Sequence, residues 1–142
     1  MSLIASAYLD KTFSERDEAS LAFLSSLVCG TQAFDQRHAI YGLPPPLFLF
    51  VEDLLWFAQA WRSGSWTYFE ATPPERQQAM LEALRADAPN GWSDQYASGM
   101  RRWQEVEPLR ALDAWMMQQD QANSEFLWDH LARHRAILEG LP

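Results

Sequence analysis

The sequence contains one cysteine and one lysine, and its valine, isoleucine and threonine residues together number only ten of 142. Cys29 therefore has no partner for a disulfide within the chain, which is compatible with a reducing compartment. The scarcity of β-branched residues argues against a sheet, because strands are enriched in them. Alanine and leucine, which favour helices, are the two most frequent residue types. The sequence predicts an all-α fold of one domain, covering residues 1–142.

The sequence also lacks a long uninterrupted hydrophobic run. The longest apolar stretch, residues 43–60, contains three consecutive prolines and the polar residues Glu52, Asp53 and Gln59. A membrane-spanning helix needs about 20 predominantly apolar residues, so this stretch predicts a buried helix instead. The N-terminal residues lack the basic segment of a signal peptide. We therefore expect a cytoplasmic protein without membrane contact.

Positive charge is scarce. Nineteen Asp and Glu residues stand against eleven Lys and Arg, which gives a net charge of −8. Nucleic-acid binding depends on cations that neutralise phosphates, so direct contact with nucleic acid is not expected. An acidic protein instead suits a protein partner with a basic surface, because complementary charge speeds association and rejects wrong partners. The same acidity also promotes solubility, and this alternative stays open.

Helix-breaking residues divide the chain into short segments and predict a bundle of about six or seven helices. Residues 47–62 are apolar on nearly every side, which predicts a central helix that Gly64 ends. We expect Leu54 and Leu55 of this helix to lie in the core, and a short helix at residues 31–41. Three tryptophans of the region are expected to be at least partly buried: Trp56, Trp61 and Trp66.

Catalytic motifs are missing: the chain has no phosphate-binding glycine loop and no nucleophile elbow. His130 and His134 have the spacing of two metal ligands on one helix face, but Leu131 occupies the position where zinc proteases need a glutamate. A third ligand would have to come from elsewhere, and the candidates are Asp129, Glu125 and His38. We expect the two histidines to be structural, with no metal, no cofactor and no enzymatic activity. A metal-dependent enzyme that uses them is the third hypothesis for function.

Seven tryptophans are present, and this residue is enriched at protein interfaces. On the 47–62 helix, Glu52, Trp56 and Gln59 recur at the spacing of one face. This polar stripe is either part of a partner-binding surface or simply the side of the helix that meets water. In the first case, a carboxylate beside aromatic rings would receive an arginine or lysine of the partner. Further candidate partner-binding residues are Trp66, Tyr68, Glu70, Glu75, Trp103, Glu105 and Glu107.

Within residues 47–84, an aromatic-rich helix is followed by Ser-Gly-Ser-Trp-Thr-Tyr-Phe at 63–69 and by a helix with Ala83 and Leu84. This order resembles a bacterial family of small acidic all-helical proteins, some of them DNA mimics, whose motif is an aromatic-rich helix, Asn-Gly-Gly-Phe-x-Gln-Tyr-Phe and a helix with Ala-Leu. The resemblance implies an all-α fold and a regulator that binds a DNA-binding protein. DNA mimicry requires rows of carboxylates, and no acidic run here exceeds two residues. The DNA mimic is therefore the second hypothesis.

Small size, acidity and the absence of catalytic motifs together resemble bacterial immunity proteins, which neutralise a cognate toxin by binding it. The resemblance implies a non-enzymatic inhibitor whose partner is a toxin or secreted effector with a basic surface. This is the leading hypothesis for function.

Overall fold

A computed structural model describes residues 4–142, which form nine α-helices and no strand. The helices are α1 (Ser6–Glu15), α2 (Glu18–Cys29), α3 (Pro45–Ser63), α4 (Ser65–Ala71), α5 (Pro74–Asp87), α6 (Trp92–Arg102), α7 (Val106–Gln118), α8 (Asp120–Arg133) and α9 (Arg135–Glu139). The prediction of an all-α bundle is confirmed.

The number of helices exceeds the six or seven expected, for local reasons. The short helices α1 and α4 have no counterpart in the sequence-based expectation. The chain also bends at His134, which separates α8 from α9. One expected helix is missing, because residues 31–41 form a series of turns. Short helices are marginal by themselves, so tertiary packing decides where they form.

The longest helix, α3, lies at the centre of the bundle and contacts α2, α4, α5, α7 and α8. It begins at Pro45, where proline is tolerated because the first N–H groups of a helix have no partner within it. Residues 47–50 in its first turns are all buried. The predicted central helix at 47–62 is therefore confirmed, with one or two more residues at each end. None of the helices in residues 4–142 combines the length and the apolar character needed to cross a membrane.

Two glycines allow the helices around α3 to approach closely. Gly64 has φ = 94° and turns the chain sharply from α3 into α4, in a conformation that residues with a Cβ rarely adopt. Gly99 of α6 faces the ring of Phe69 of α4, and a Cβ at this position would overlap the ring. Together these contacts place α4 and α6 against one side of α3.

Aromatic rings fill much of the core. Trp56 of α3 meets Tyr96 of α6 edge to face, with ring centroids 5.0 Å apart. Trp92 makes similar edge contacts with Trp115 at 5.6 Å and with Phe126 at 5.4 Å. Such edge-to-face pairs add to the stabilisation that burial of the rings provides.

Candidate protein-binding groove

The two sides of α3 differ from the expectation of a helix that is enclosed all round. Glu52 and Asp53 are completely buried. On the other side, Leu55 is 38% exposed and Trp61 is 52% exposed, whereas Leu54 is partly buried. The expectation that Leu55 lies in the core is therefore wrong. This helix holds its carboxyl groups inside and presents apolar side chains to solvent.

Three residues that the sequence assigned to a partner-binding surface belong to the core. Glu52, Trp56 and Tyr68 are each at most 1% exposed. The physical reason is that α4, which carries Tyr68, and α6, which carries Tyr96, cover this side of α3. A partner cannot reach these three side chains in this fold, so they are removed from the candidate surface.

Glu52 belongs to an internal polar cluster instead. The hydroxyl of Tyr41 donates a hydrogen bond to Glu52 Oε1 at 2.6 Å, and the hydroxyls of Tyr68 and Tyr96 share one at 2.7 Å. The guanidinium of Arg76 lies over the Tyr41 ring, 4.3 Å from its centroid. Burial raises the pKa of Glu52 above its ordinary value, and the hydrogen bond from Tyr41 partly offsets this effect. The cluster thus gives one oxygen of the buried Glu52 carboxyl group a hydrogen-bond partner inside the fold.

Asp53, the next residue, is enclosed more completely. Burial raises the pKa of its carboxyl group to about 8, and the neighbouring Asn123 lowers it in part. Among residues 4–142, neither carboxylate oxygen has a hydrogen-bond partner in good geometry. Desolvation disfavours the charged form of such a group, so Asp53 is mostly protonated at neutral pH.

A continuous groove follows the exposed apolar side of α3. Its first section lies between α2 and α3. The second section extends it toward α8 and shares Ala22, Leu54 and Ala58 with the first. The third section lies between α2 and α8 and shares Glu18 and Asp120 with the second. The groove therefore runs beside α2, with α3 and then α8 opposite.

Large apolar side chains are exposed in and beside the groove. Trp61 lines the second section, where its indole Nε1–H donates a hydrogen bond to Asp120 Oδ1 at 3.1 Å. Leu55 lines the first section. Phe23, which follows Ala22 on α2, is 52% exposed and packs its ring edge to face with Tyr8. Exposed apolar side chains that line a groove are typical of interaction sites.

The two ends of the groove carry different charges. The end between α2 and α8 is lined by four acids, which are Glu18, Asp120, Glu125 and Asp129. The one cation among its lining residues, Arg16, donates from Nη1 to Asp129 Oδ1 at 2.8 Å. The opposite end is lined by Arg76 and Cys29. Burial raises the pKa of the Cys29 thiol, which favours its protonated form. The groove is thus apolar in its middle and acidic at one end.

The remaining predicted partner-binding residues do not line this groove. They are Gln59, Trp66, Glu70, Glu75, Trp103, Glu105 and Glu107. Gln59 is half-buried and accepts a hydrogen bond from Thr67 Oγ1 at 3.3 Å. Trp66 is 42% exposed, and Glu107 pairs with Arg110 of its own helix at 3.1 Å. The fold does not bring these residues together with the groove.

A separate group of titratable side chains links the ends of α5 and α8. His130 is buried, and its Nε2 lies 2.8 Å from the Pro46 carbonyl oxygen, a distance at which Nε2–H donates to that oxygen. The rings of His130 and His134 are 4.7 Å apart, and His134 Nε2 lies 3.9 Å from Asp87 Oδ2. Burial lowers the pKa of His130, which keeps the imidazole neutral at physiological pH.

The acid beside the two histidines is Asp87, which is not one of the three candidate third ligands predicted from the sequence. Asp129 pairs with Arg16, and Glu125 accepts a hydrogen bond from Gln121 at 3.3 Å. His38 lies in the turns between α2 and α3. The carboxylate that the fold brings to the two histidines is more than 40 residues distant in sequence. Local spacing cannot indicate such a partner.

Comparison with known proteins found no family model, no curated protein and no solved structure that matches the chain. Function must therefore be inferred from the groove and its chemistry.

The sequence analysis did not predict the groove, although the sequence contains a pattern that indicates it. Leu54, Ala58 and Trp61 follow the i, i+4, i+7 spacing of one helix face. The small residues Ala19 and Ala22 on α2 line the opposite wall.

Proposed function

We propose that this chain is a non-enzymatic protein-binding inhibitor, an immunity protein that neutralises a cognate bacterial toxin or secreted effector in the cytoplasm. The observation that carries the proposal is the apolar groove on the exposed side of α3. Leaving Leu55 and Trp61 in water forgoes roughly 25 cal/mol for each Å² of apolar area. A partner that covers these side chains gains that stabilisation, and Trp61 has the size and polar edge of an interface anchor.

The shape of the groove favours a helical segment of the partner. The groove follows α2, whose 12 residues extend for about 18 Å at the 1.5 Å rise of an α-helix. That length matches three turns of a bound helix. An amphipathic helix places apolar side chains at i, i+3 or i+4, and i+7, and these would fill the space above Leu54 and Ala58.

The charge at the α2–α8 end supports a partner segment with basic residues there. Four acids line this end and Arg16 is the one cation among them, so an arginine or lysine is attracted there. Exposed carboxylates act mainly on the rate of association, whereas buried apolar anchors act on the rate of dissociation. The partner segment is therefore basic toward one end and apolar along its length. Occupying such a segment inhibits a toxin when the segment belongs to its basic active-site mouth.

Binding and inhibition can be tested together. The chain is co-expressed with the products of its neighbouring genes, and a co-purified protein is identified by mass spectrometry. Ala58→Glu places a charge in the groove, and Ala111→Glu makes the same change on the exposed side of α7. We expect Ala58→Glu to weaken binding by about 30-fold or more, equivalent to about 2 kcal/mol, and Ala111→Glu to leave it unchanged.

The identity of the partner decides between the inhibitory proposal and its rivals. The proposal requires that the co-purified protein have a toxic activity that stoichiometric addition of the chain abolishes. Recovery of a DNA-binding protein that the chain displaces from DNA would replace the toxin with a regulator as partner. Recovery of nucleic acid alone, or equal binding by Ala58→Glu and Ala111→Glu, would contradict the groove as the binding site.

A further inference from the structure

We propose that Asp87, His130 and His134 form a site for one divalent transition-metal ion, with Zn²⁺ as the ion that the ligand set fits best. One ligand atom from each residue can be chosen so that all three lie within 4.8 Å of one another. Two imidazoles and one carboxylate are a zinc ligand set that leaves a fourth position for water. The expectation of no metal rested on the lack of a third ligand, and Asp87 removes that reason.

The hydrogen bond of His130 prepares its other ring nitrogen for a metal. Because Nε2–H donates to the Pro46 carbonyl oxygen, Nδ1 carries the lone pair. Nδ1 is buried and has no hydrogen-bond partner among residues 4–142. Metal-binding histidines usually donate their second N–H to a carbonyl or carboxylate, which fixes both the tautomer and the orientation of the ring. A buried acceptor without a partner is unfavourable, and a metal ion would satisfy it.

The three ligand atoms lie within 4.8 Å of one another, so tetrahedral coordination requires some of them to move closer by up to about 1.5 Å. In a tetrahedral site with bonds of about 2.0–2.1 Å, ligand atoms lie roughly 3.3 Å apart. His134 Nε2 and Asp87 Oδ2 are 3.9 Å apart. Both side chains are about 30% exposed and lie at helix ends, where rotation is easy. Asp87 also lines an open depression beside α8, so an ion can reach it from solvent.

One cation opposes metal binding at this site. Arg133 lines the same depression as Asp87 and acts electrostatically on His130. The Asp87 carboxylate compensates for this charge, because it is the single anion among the three proposed ligands. The carboxylate is therefore needed for charge balance as well as for coordination.

The experiment titrates ZnCl₂ into the purified, metal-stripped chain and follows binding by calorimetry. Asp87→Asn and His134→Ala alter partly exposed ligands, so both variants are expected to fold. His38→Ala is the matched control, because it removes the exposed histidine that lies between α2 and α3. We expect one Zn²⁺ per chain and a loss of affinity of roughly tenfold or more in each ligand variant. The control should bind as tightly as the original chain.

A second measurement separates this site from adventitious binding. Metal that joins α5 to α8 stabilises the folded state, so Zn²⁺ should raise the Tm of the original chain and of His38→Ala but not of His134→Ala. Co²⁺ in place of Zn²⁺ should give the visible absorption of a tetrahedral ion. Zinc binding that is absent, that exceeds one ion per chain, or that is equal in all variants would overturn the proposal. These readouts do not involve the groove or its partner.

Discussion

Each side of α3 carries exceptions to the usual pattern of a partly exposed helix, which buries apolar side chains and exposes polar ones. The inner side carries Glu52 and Asp53, both completely buried, and the fully buried ring of Trp56. The outer side carries Leu55 and Trp61, which are 38% and 52% exposed. Burying carboxyl groups and exposing apolar groups are both unfavourable for the isolated chain. The outer side is the surface that the proposed partner would cover, and the inner side is closed by the fold itself.

The inner side tolerates its acids because they are largely neutral or hydrogen-bonded. Tyr41 supplies a hydrogen bond to Glu52, and burial keeps Asp53 protonated at neutral pH. On the outer side, the indole N–H of Trp61 donates a hydrogen bond to Asp120, but the apolar parts of Leu55 and Trp61 remain in contact with water. Substitutions on the inner side should therefore change folding, and substitutions on the outer side should change binding.

The largest expected effect contrasts two tryptophans of the same helix. Trp56→Ala removes a fully buried ring that packs on Tyr96, and should lower the free energy of unfolding by about 3–5 kcal/mol. Trp61→Ala removes a half-exposed ring and should lower it by less than about 1 kcal/mol. Urea unfolding of both variants measures the difference. Equal losses would mean that the two sides are not distinct in burial.

A pH-dependent change in stability, intermediate in size, is expected from Asp53. Burial raises the pKa of its carboxyl group from the ordinary 3.8 to about 8 in the folded chain. Between these values the folded state holds a proton that the unfolded state has lost. Stability therefore falls as pH rises through this window, by up to about 1.4 kcal/mol per pH unit. Asp53→Asn cannot ionise, so it should be less sensitive to pH between about 5 and 8.

Unfolding of both chains by urea at several pH values tests this expectation. The raised pKa of Glu52 has the same sign, and the lowered pKa of His130 has the opposite sign. Both are present in the original chain and in Asp53→Asn, so the difference between the two curves isolates Asp53. Parallel curves would show that Asp53 is ionised in the folded state at neutral pH.

The sequence predicted the architecture because hydrophobic pattern and helix breakers act locally. Pro45 and Gly64 mark the start and end of α3, and the apolar residues between them indicate a central helix. The pattern could not show which side of this helix is buried, since nearly every side is apolar. Glu52 and Gln59 therefore indicated the solvent side by their polarity, whereas tertiary contacts with Tyr41 place Glu52 inside.

The candidate site could be predicted only in part for the same reason. The acidity that favours a basic partner is a property of composition, and the acids at one end of the groove agree with it. Which acids gather there depends on the packing of α2 against α8, which no local pattern encodes. Asp87 could not be predicted as a neighbour of His134 either, because the fold alone brings the two residues together.

The smallest expected effect on stability belongs to Leu55, and it tests the comparison most directly. Leu49→Ala, a change on the enclosed part of α3, should lower the free energy of unfolding by about 2–5 kcal/mol. Leu55→Ala makes the same chemical change at a side chain that is 38% exposed, and should lower it by less than about 1 kcal/mol. The same variant should bind an apolar fluorescent dye less than the original chain does, because it removes part of the exposed surface. A loss at Leu55 as large as that at Leu49, with unchanged dye binding, would place Leu55 in the core and contradict its assignment to the exposed wall of the groove.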